Sequence, residues 1–172
     1  VDFISDLHLQ ASEPATVAAF QQYLESTPAD ALFILGDLFE VWVGDDALRE
    51  PGSFEAQGCA LLRAAMQRLP VYFIHGNRDF LLGDGFAAAT GARLLGDPHL
   101  LSTPEWQFVL SHGDALCLDD ATYMAFRAQV RNPAWQAALL AKPLGERRVI
   151  AAHMREVSES SQRDKDNPYT DL

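Results

Sequence analysis

The 172-residue sequence is short of the features that mark membrane-spanning, secreted and disulfide-bonded proteins. No apolar run approaches the roughly 18–20 residues that a membrane-spanning helix needs. No basic stretch opens the chain, as it would in a secretory signal peptide. The two cysteines, Cys59 and Cys117, lack the spacing of a metal site. We therefore expect two free thiols in a cytosolic protein.

Basic residues are also scarce. Lys and Arg together number 13 against 24 Asp and Glu, which gives a formal net charge of −11. Proteins that bind nucleic acid present a basic face to it, so we expect no nucleic-acid partner. Divalent cations would offset part of the acidity wherever carboxylates gather at a site.

The first part of the chain contains a regular alternation of short apolar strands with amphipathic helices. Its length suits one domain with room for an insertion, and short strands separated by helices favour a layered α/β fold. The patterns predict strands at residues 1–5, 31–35 and 71–74, helices at 14–26, 54–69 and 83–90, and a hairpin formed by 99–102 and 106–110.

From about residue 120 the pattern becomes helical. Apolar residues recur at helical spacing up to about residue 165, without a strand-like run between them. Pro133 and Pro143 divide this segment into pieces. We interpret residues 1–119 as an α/β core, 120–165 as a helical cap or insertion, and 166–172 as a polar end of the chain.

Polar side chains that can bind metal follow four of the predicted strands. Loops at the carboxyl ends of strands gather ligands in α/β folds, so these side chains are expected to meet. Oxygen donors mixed with imidazole suit Mn²⁺, Fe or Zn²⁺ rather than Ca²⁺ or a thiolate site. The four loops are Asp6-Leu7-His8, Gly36-Asp37-Leu38-Phe39-Glu40, Gly76-Asn77-Arg78-Asp79 and His112-Gly113-Asp114.

Each of these loops has an ordinary explanation when it is taken alone. An Asp or Asn beside a glycine after a strand is common turn chemistry, and a single Asp-x-His is more often a helix-capping loop than a ligand pair. Four such loops in one chain, each ending an apolar strand, are difficult to obtain by chance. The combination therefore favours a metal site.

In this order the four motifs resemble those of the calcineurin-like metallophosphoesterases. The resemblance implies a β-sandwich flanked by helices, here with a helical cap insertion, and a hydrolase that uses two metal ions. Two Mn²⁺ ions are the implied cofactors, with Fe or Zn²⁺ as alternatives. The implied ligands are Asp6 and His8 for the first ion, Asn77 and His112 for the second, and Asp37 as the bridge between both.

Longer runs, at residues 34–40, 72–83 and 112–120, are similar to one group within this family. These are the hydrolases of UDP-linked acylated glucosamine in lipid A biosynthesis. The likeness implies cleavage of the diphosphate of UDP-2,3-diacylglucosamine into UMP and 2,3-diacylglucosamine 1-phosphate. It also implies a cytoplasmic enzyme, peripheral on the bacterial inner membrane, without an obligate protein partner. The helical segment would line an apolar channel for the acyl chains.

The same likeness gives roles to individual side chains. Arg78 stands where many members of the family have His, and its fixed, charged fork suits a phosphate. Arg78 and Asp37 are therefore the expected catalytic residues. Gln162 stands where the group has Asn. The residues expected to contact substrate are Asn77, Arg78, Asp120, Ser158, Gln162 and Lys165.

Other polar residues near the motifs receive supporting roles. Glu40 and Asp79 are expected to orient metal ligands rather than to bind metal themselves. His75 is expected to be a packed residue or an orienting one. Asp45 and Asp46 are expected to be solvated loop carboxylates.

One part of the family pattern is missing from the 172 residues. The family closes its site with a Gly-His-x-His motif further along, and His75, His99 and His153 lack that spacing. We therefore expect a core that is incomplete on its C-terminal side. Two alternatives stay open, namely a metallophosphoesterase for another phosphoester or nucleotide and an inactive, truncated binding domain.

Overall fold

A parallel β-sheet forms the centre of the protein. The computed structural model describes the backbone of residues 1–163 and the side chains of residues 1–156. Each strand pairs with the next along the chain, and Phe3 lies opposite Phe33, which lies opposite Tyr72. The four strands, in sheet order, are β1 (Asp2–Ile4), β2 (Leu32–Ile34), β3 (Val71–Phe73) and β4 (Arg93–Leu94).

Capping residues and residues with special backbone preferences mark the ends of the helices that connect these strands. Helix α1 (Pro14–Ser26) has proline in its first turn, where the missing N–H costs nothing. Helix α2 (Phe54–Ala65) is capped by the Ser53 side chain, which accepts the Ala56 N–H at 3.1 Å. Helix α3 (Asp84–Thr90) ends at Gly91 with φ of 85°, a left-handed conformation that glycine adopts without strain.

The core lies between the sheet and these helices. Leu32 and Ile34 are fully buried on the helical side, together with the aromatic rings of Phe39 and Trp42. Cys59 is buried in the same cluster, and burial raises the pKa of its thiol to about 12. Both cysteines are free thiols, as predicted.

A hairpin covers part of the opposite face of the sheet. Strands β5 (His99–Ser102) and β6 (Gln107–Leu110) pair antiparallel. Leu110 packs in a second buried cluster with Phe33 and Ile74. The two faces of the sheet are thus covered by different layers, and the predicted α/β fold is confirmed.

The helical segment consists of α4 (Ala121–Val130), α5 (Pro133–Leu140) and α6 (Leu144–Arg163). The breaks fall at the two prolines that the sequence marks. Arg147 of α6 is buried, and its guanidinium donates to the Val43 carbonyl and to Asp46. These hydrogen bonds from the Arg147 guanidinium therefore help to hold the helical segment against the α/β core. Within residues 1–163, no helix combines the length and apolarity needed to cross a membrane.

The structure corrects several element boundaries. Strands β1 to β3 are shorter than predicted. Strand β4 was not predicted, because two residues are too few to show the alternation of apolar and polar side chains that marks a strand. Helix α2 ends at Ala65 instead of residue 69, and turns at residues 66–68 lead to Pro70, which disfavours helical backbone at the residue before it. Strand β6 begins at Gln107, since Thr103 and Trp106 are bonded to each other in the turn. Two short 3₁₀ helices, Asp45–Arg49 and Asp114–Leu116, were also not predicted.

Candidate metal centre

Four loops converge at the carboxyl edge of the parallel sheet. Asp6 follows β1, Asp37 follows β2 and Asn77 follows β3, so the parallel strands direct all three loops to one edge. Backbone bonds join the first two loops, because Asp6 N–H donates to Gly36 O at 3.1 Å and His8 N–H donates to Asp37 O at 3.0 Å. The predicted convergence is present.

Three of the expected ligands have a left-handed backbone. The φ angles are 56° at Asp6, 48° at His8 and 52° at Asp37, and no other non-glycine residue of the described backbone has a positive φ. Such conformations cost free energy for residues with a Cβ, although Asp and His tolerate them better than most. Strain of this kind is typical of functional sites.

The first group of donors consists of Asp6, His8 and Asp37. One ligand atom from each residue lies within 4.8 Å of the other two, which is close enough to hold one metal ion. His8 Nε2 lies 3.9 Å from both Asp6 Oδ1 and Asp37 Oδ2. The other ring nitrogen, Nδ1, lies 3.1 Å from Glu40 Oε2. A carboxylate beside Nδ1 favours the tautomer that directs the Nε2 lone pair towards a metal.

The second group of donors consists of Asn77, His112 and again Asp37. His112 Nε2 lies 3.0 Å from Asn77 Oδ1 and 3.8 Å from Asp37 Oδ1. The other nitrogen, Nδ1, contacts the Leu35 carbonyl at 2.9 Å, and a carbonyl can only accept. Nδ1 therefore donates to Leu35, and Nε2 is the nitrogen that faces Asn77 Oδ1 and Asp37 Oδ1.

The two oxygens of Asp37 face different groups of donors. Oδ2 faces His8 and Oδ1 faces His112, so one carboxylate lies between two imidazoles. Asp37 is 2% exposed, and burial raises the pKa of its carboxyl above the ordinary value. A buried anion needs cations or donors to offset the lost hydration. Among the described residues, the backbone N–H of Arg78 donates to Oδ1 at 2.8 Å.

These observations fit a pair of divalent cations. Asn77 Oδ1 and His112 Nε2 lie 3.0 Å apart beside the Asp37 carboxylate, so one cation could interact with both atoms. Asp6 and His8, both with a left-handed backbone, lie beside the buried Asp37 carboxylate, whose backbone is left-handed as well. The donors are oxygens and imidazole nitrogens, the set that Mn²⁺, Fe and Zn²⁺ accept. The residues present are therefore suited to the metals that the sequence predicts.

Asp79 supports the site through the backbone. Its carboxylate accepts the N–H of Leu38 and the N–H of Gly76, each at 2.8 Å. These two residues adjoin Asp37 and Asn77. Burial, together with the nearby Asp37 charge, raises the pKa of Asp79 to about 7. Asp79 orients the loops that carry the donors, as predicted.

Two glycines allow these loops to approach each other. A Cβ on Gly36, whose φ is 100°, would lie 2.6 Å from Gly76 Cα and 2.7 Å from His112 Nδ1. A Cβ on Gly76 would collide with the Asp37 carboxylate and with the Asp37 backbone nitrogen. Larger residues at these positions would push the donor loops apart.

Gly76→Ala is therefore expected to displace Asp37 and weaken metal binding. Overpacking of this kind typically costs about 1–3 kcal/mol of stability. Urea unfolding and metal content by elemental analysis would measure both effects. Gly145→Ala is the matched control, because a Cβ there meets no atom within 4 Å. Wild-type stability and metal content in Gly76→Ala would contradict this account of the loop contact.

Apart from Asn77, the residues expected to contact substrate lie in four different situations. Arg78 Nη1 is 3.7 Å from Glu40 Oε1, beside the first donor group. The Asp120 side chain caps α4 by accepting the Tyr123 N–H at 2.9 Å. Ser158 and Gln162 belong to the backbone of α6, but their side chains lie outside the described residues. Lys165 lies wholly outside the described residues.

The structure corrects the expectation for one of two neighbouring acidic residues. Asp45 is not a solvated loop carboxylate, because it accepts hydrogen bonds from the Trp42 indole and from the N–H groups of Gly83 and Gly85. Asp46 is exposed, as expected, and is paired with Arg147. The 3₁₀ helix that carries both residues turns them towards partners far away in sequence.

Two arginines of the helical segment reach the site and were not identified from the sequence. Arg155 Nη1 lies 3.2 Å from Glu40 Oε1. Arg131 donates to the His75 and Gly76 carbonyls, directly before Asn77. For Arg131, the sequence offered one signal: it follows Arg127 by four residues, and this spacing places both arginines on one helix face. His75 is packed as predicted, with Nε2 2.7 Å from the Leu82 carbonyl.

Comparison with known proteins identifies similar sequences over most of the chain. The family model for calcineurin-like phosphoesterases matches residues 1–168. A UDP-2,3-diacylglucosamine hydrolase of Chromobacterium violaceum is 52% identical over 161 residues, which are 92% of this chain and 67% of that protein. The protein of the same name from Escherichia coli is 47% identical over 99% of this chain and 71% of its own length. The crystal structure of Pseudomonas putida nuclease MPE is also similar, with a TM-score of 0.43 and 25% sequence identity. The match covers 58% of the present chain and 49% of the nuclease chain.

Proposed function

Because the chain belongs to the calcineurin-like phosphoesterase family, and is therefore a metal-dependent hydrolase, we propose that it cleaves the diphosphate of UDP-2,3-diacylglucosamine. The products would be UMP and 2,3-diacylglucosamine 1-phosphate, in lipid A biosynthesis. The names of the two relatives above, at 52% and 47% identity, support this substrate.

The observation that carries the proposal is the position of Asp37 between His8 and His112. A carboxylate with one oxygen towards each imidazole supports a pair of metal ions. Asp6, His8 and Asp37 would hold one ion, and Asp37, Asn77 and His112 would hold the other. Mn²⁺ is the expected metal in both positions. When bound, such an ion pair activates water at neutral pH and neutralises charge on a phosphate.

The side chains around this pair would bind and orient the diphosphate. Arg78 lies at the first donor group with its guanidinium 3.7 Å from Glu40, and its planar fork suits two phosphate oxygens at once. Because Arg78 keeps its charge at every relevant pH, it would stabilise the negative charge that develops on phosphorus during hydrolysis. No nucleophilic side chain is needed for such a reaction.

The acyl chains of the substrate favour a location of the enzyme at a membrane surface. Two acyl chains hold the substrate in a bilayer, so the protein would be peripheral on the inner membrane. Two leucines that follow the His112 loop support such contact, because Leu116 is 76% exposed and Leu118 is 73% exposed. The UDP-linked substrate and this surface are the proposed partners.

Metal removal is the test of this proposal. The protein should lose hydrolysis of UDP-2,3-diacylglucosamine after dialysis against a chelator, and Mn²⁺ should restore it better than Mg²⁺, which dehydrates reluctantly. Release of UMP is the measurement. UDP-N-acetylglucosamine, which lacks the two long acyl chains, and an aryl phosphate are the comparison substrates.

Each outcome of this test selects one function. Full activity after exhaustive chelation would contradict the two-metal site. Turnover of the aryl phosphate without turnover of the diacylated substrate would favour a phosphoesterase for another substrate. Metal binding without turnover of any of the three would favour a binding domain.

A further inference from the structure

An ion cluster around the buried Asp114 connects helix α4 with the loop that carries His112. Asp114 is 8% exposed and follows His112 by two residues. Its Oδ2 atom lies 3.0 Å from Arg127 Nε and 3.5 Å from Arg131 Nη2, and it accepts the Tyr123 hydroxyl at 3.1 Å. These three partners recur every four residues, so Tyr123 and Arg127 lie on one side of α4 together with Arg131, the residue that directly follows it.

The same helix face also contacts the loop that carries Asn77. Arg131 Nη2 donates to the Gly76 carbonyl at 3.0 Å and to the His75 carbonyl at 3.2 Å. These are the last two carbonyls before Asn77. One guanidinium nitrogen therefore contacts two chain segments that are more than 35 residues apart in sequence.

A second carboxylate completes the cluster. Asp97 Oδ2 lies 3.6 Å from Arg127 Nη2, while its Oδ1 accepts the Ser111 hydroxyl at 2.6 Å. Ser111 directly precedes His112. Two arginines and two aspartates thus balance in charge, although a buried pair of this kind is weak evidence for added stability.

The cluster acts on one half of the metal site. Asn77 and His112, the donors of the proposed second ion, lie on the two loops that Arg131 and Asp114 contact. The Asp6–His8 loop is held instead by the backbone bonds to Gly36 and Asp37 and by Glu40. Within residues 1–156, the contacts described for Tyr123, Arg127 and Arg131 do not reach Asp6 or His8.

We propose that Arg131, paired with Asp114, is a positioning residue that sets the separation of Asn77 and His112, so that docking of α4 and binding of the second metal ion are coupled. This inference rests on the two-metal site of the proposed function. The coupling is reciprocal. If docking of α4 strengthens binding of the second ion, then binding of that ion must stabilise the docked helix by the same free energy. Asp114 supports the position by fixing the guanidinium.

Metal titration of Arg131→Ala tests the proposal directly. Wild-type protein should bind two Mn²⁺ ions, and the variant should keep the first affinity while the second weakens by roughly 10–100-fold, the usual effect of removing a residue that orients metal ligands. Equilibrium dialysis with elemental analysis measures both ions. The spin coupling between paired Mn²⁺ ions, observed by electron paramagnetic resonance, should be lost at intermediate Mn²⁺ concentrations.

Arg148→Ala is the matched control, because Arg148 is an exposed arginine of α6 that pairs with Glu50 and Glu55. It should bind both ions as wild type does. Arg131→Gln keeps a donor for the two carbonyls but removes the charge opposite Asp114, and it serves if Arg131→Ala does not fold. Unchanged affinity for the second ion in either folded Arg131 variant would overturn the proposal.

Hydrogen exchange of the wild-type protein supplies an independent measurement. Adding Mn²⁺ should slow amide exchange in α4 (Ala121–Val130) and leave α1 (Pro14–Ser26) unchanged. Slower exchange in the donor loops alone, without α4, would also overturn the coupling. Binding of two ions with this protection but without hydrolysis would contradict the proposed function instead. Normal hydrolysis with unaffected metal binding in the Arg131 variants would contradict only the positioning role.

Discussion

Asp37→Ala is expected to remove both metal ions and to lower kcat/KM by at least roughly 10³-fold, beyond the loss of a single charge-stabilising donor. The reason is that the two oxygens of Asp37 face His8 and His112 separately. Elemental analysis and release of UMP measure the two effects. Asp6→Ala should weaken the first ion and retain the second.

The fold of the Asp37 variant should persist. Burial raises the pKa of this carboxyl, so the metal-free protein holds the anion at a cost. Its removal therefore relieves that cost, although the Arg78 N–H loses its acceptor. Asp30→Ala is the matched control, since Asp30 is exposed and lies before the opposite end of β2. Two ions bound to Asp37→Ala would show that the carboxylate does not bridge.

Arg78→Ala is expected to lower kcat/KM by about 10²-fold or more while metal content stays unchanged, the scale of a lost charge-stabilising group. The separation is possible because the contact of Arg78 with Asp37 comes from the backbone N–H, which alanine retains. Kinetics with UDP-2,3-diacylglucosamine and elemental analysis measure the two quantities.

Two further variants define what the arginine contributes. Arg78→Lys keeps the charge but loses the planar fork, so it should recover part of the activity. Arg93→Ala is the control, because that guanidinium packs over the Tyr72 ring at 5.8 Å. Wild-type kinetics in Arg78→Ala would remove Arg78 from the proposed catalytic residues.

Local patterns in the sequence predicted most of the secondary structure. The helix at 14–26 is confirmed at both ends, because proline in the first turn and an apolar stripe are local signals. The breaks at Pro133 and Pro143 are confirmed for the same reason. Strand β4 was missed, since its two residues pair with Tyr72 and Phe73 only through tertiary contact.

Side-chain environments were harder to predict than elements. Asp45 was expected in solvent but accepts three hydrogen bonds, two of them from residues about 40 positions away. Arg147 is an ordinary helical residue in sequence and a buried cation in the structure. Neither environment has a periodic signal, because the partners come from distant segments.

The sequence by itself determined which donors this protein has and where its strands deliver them. Parallel strands send their carboxyl ends to one edge, so motifs that follow β1, β2 and β3 must meet whatever the details of packing. Tertiary structure alone decided how the donors are oriented. The position of Asp37 between two imidazoles depends on the contact of His112 with the Leu35 carbonyl, 77 residues away. The hydrogen bond from Arg131 to the Gly76 carbonyl joins residues that are 55 positions apart. Such contacts form only when the chain folds and distant loops are held at fixed distances, which no local pattern of residues encodes.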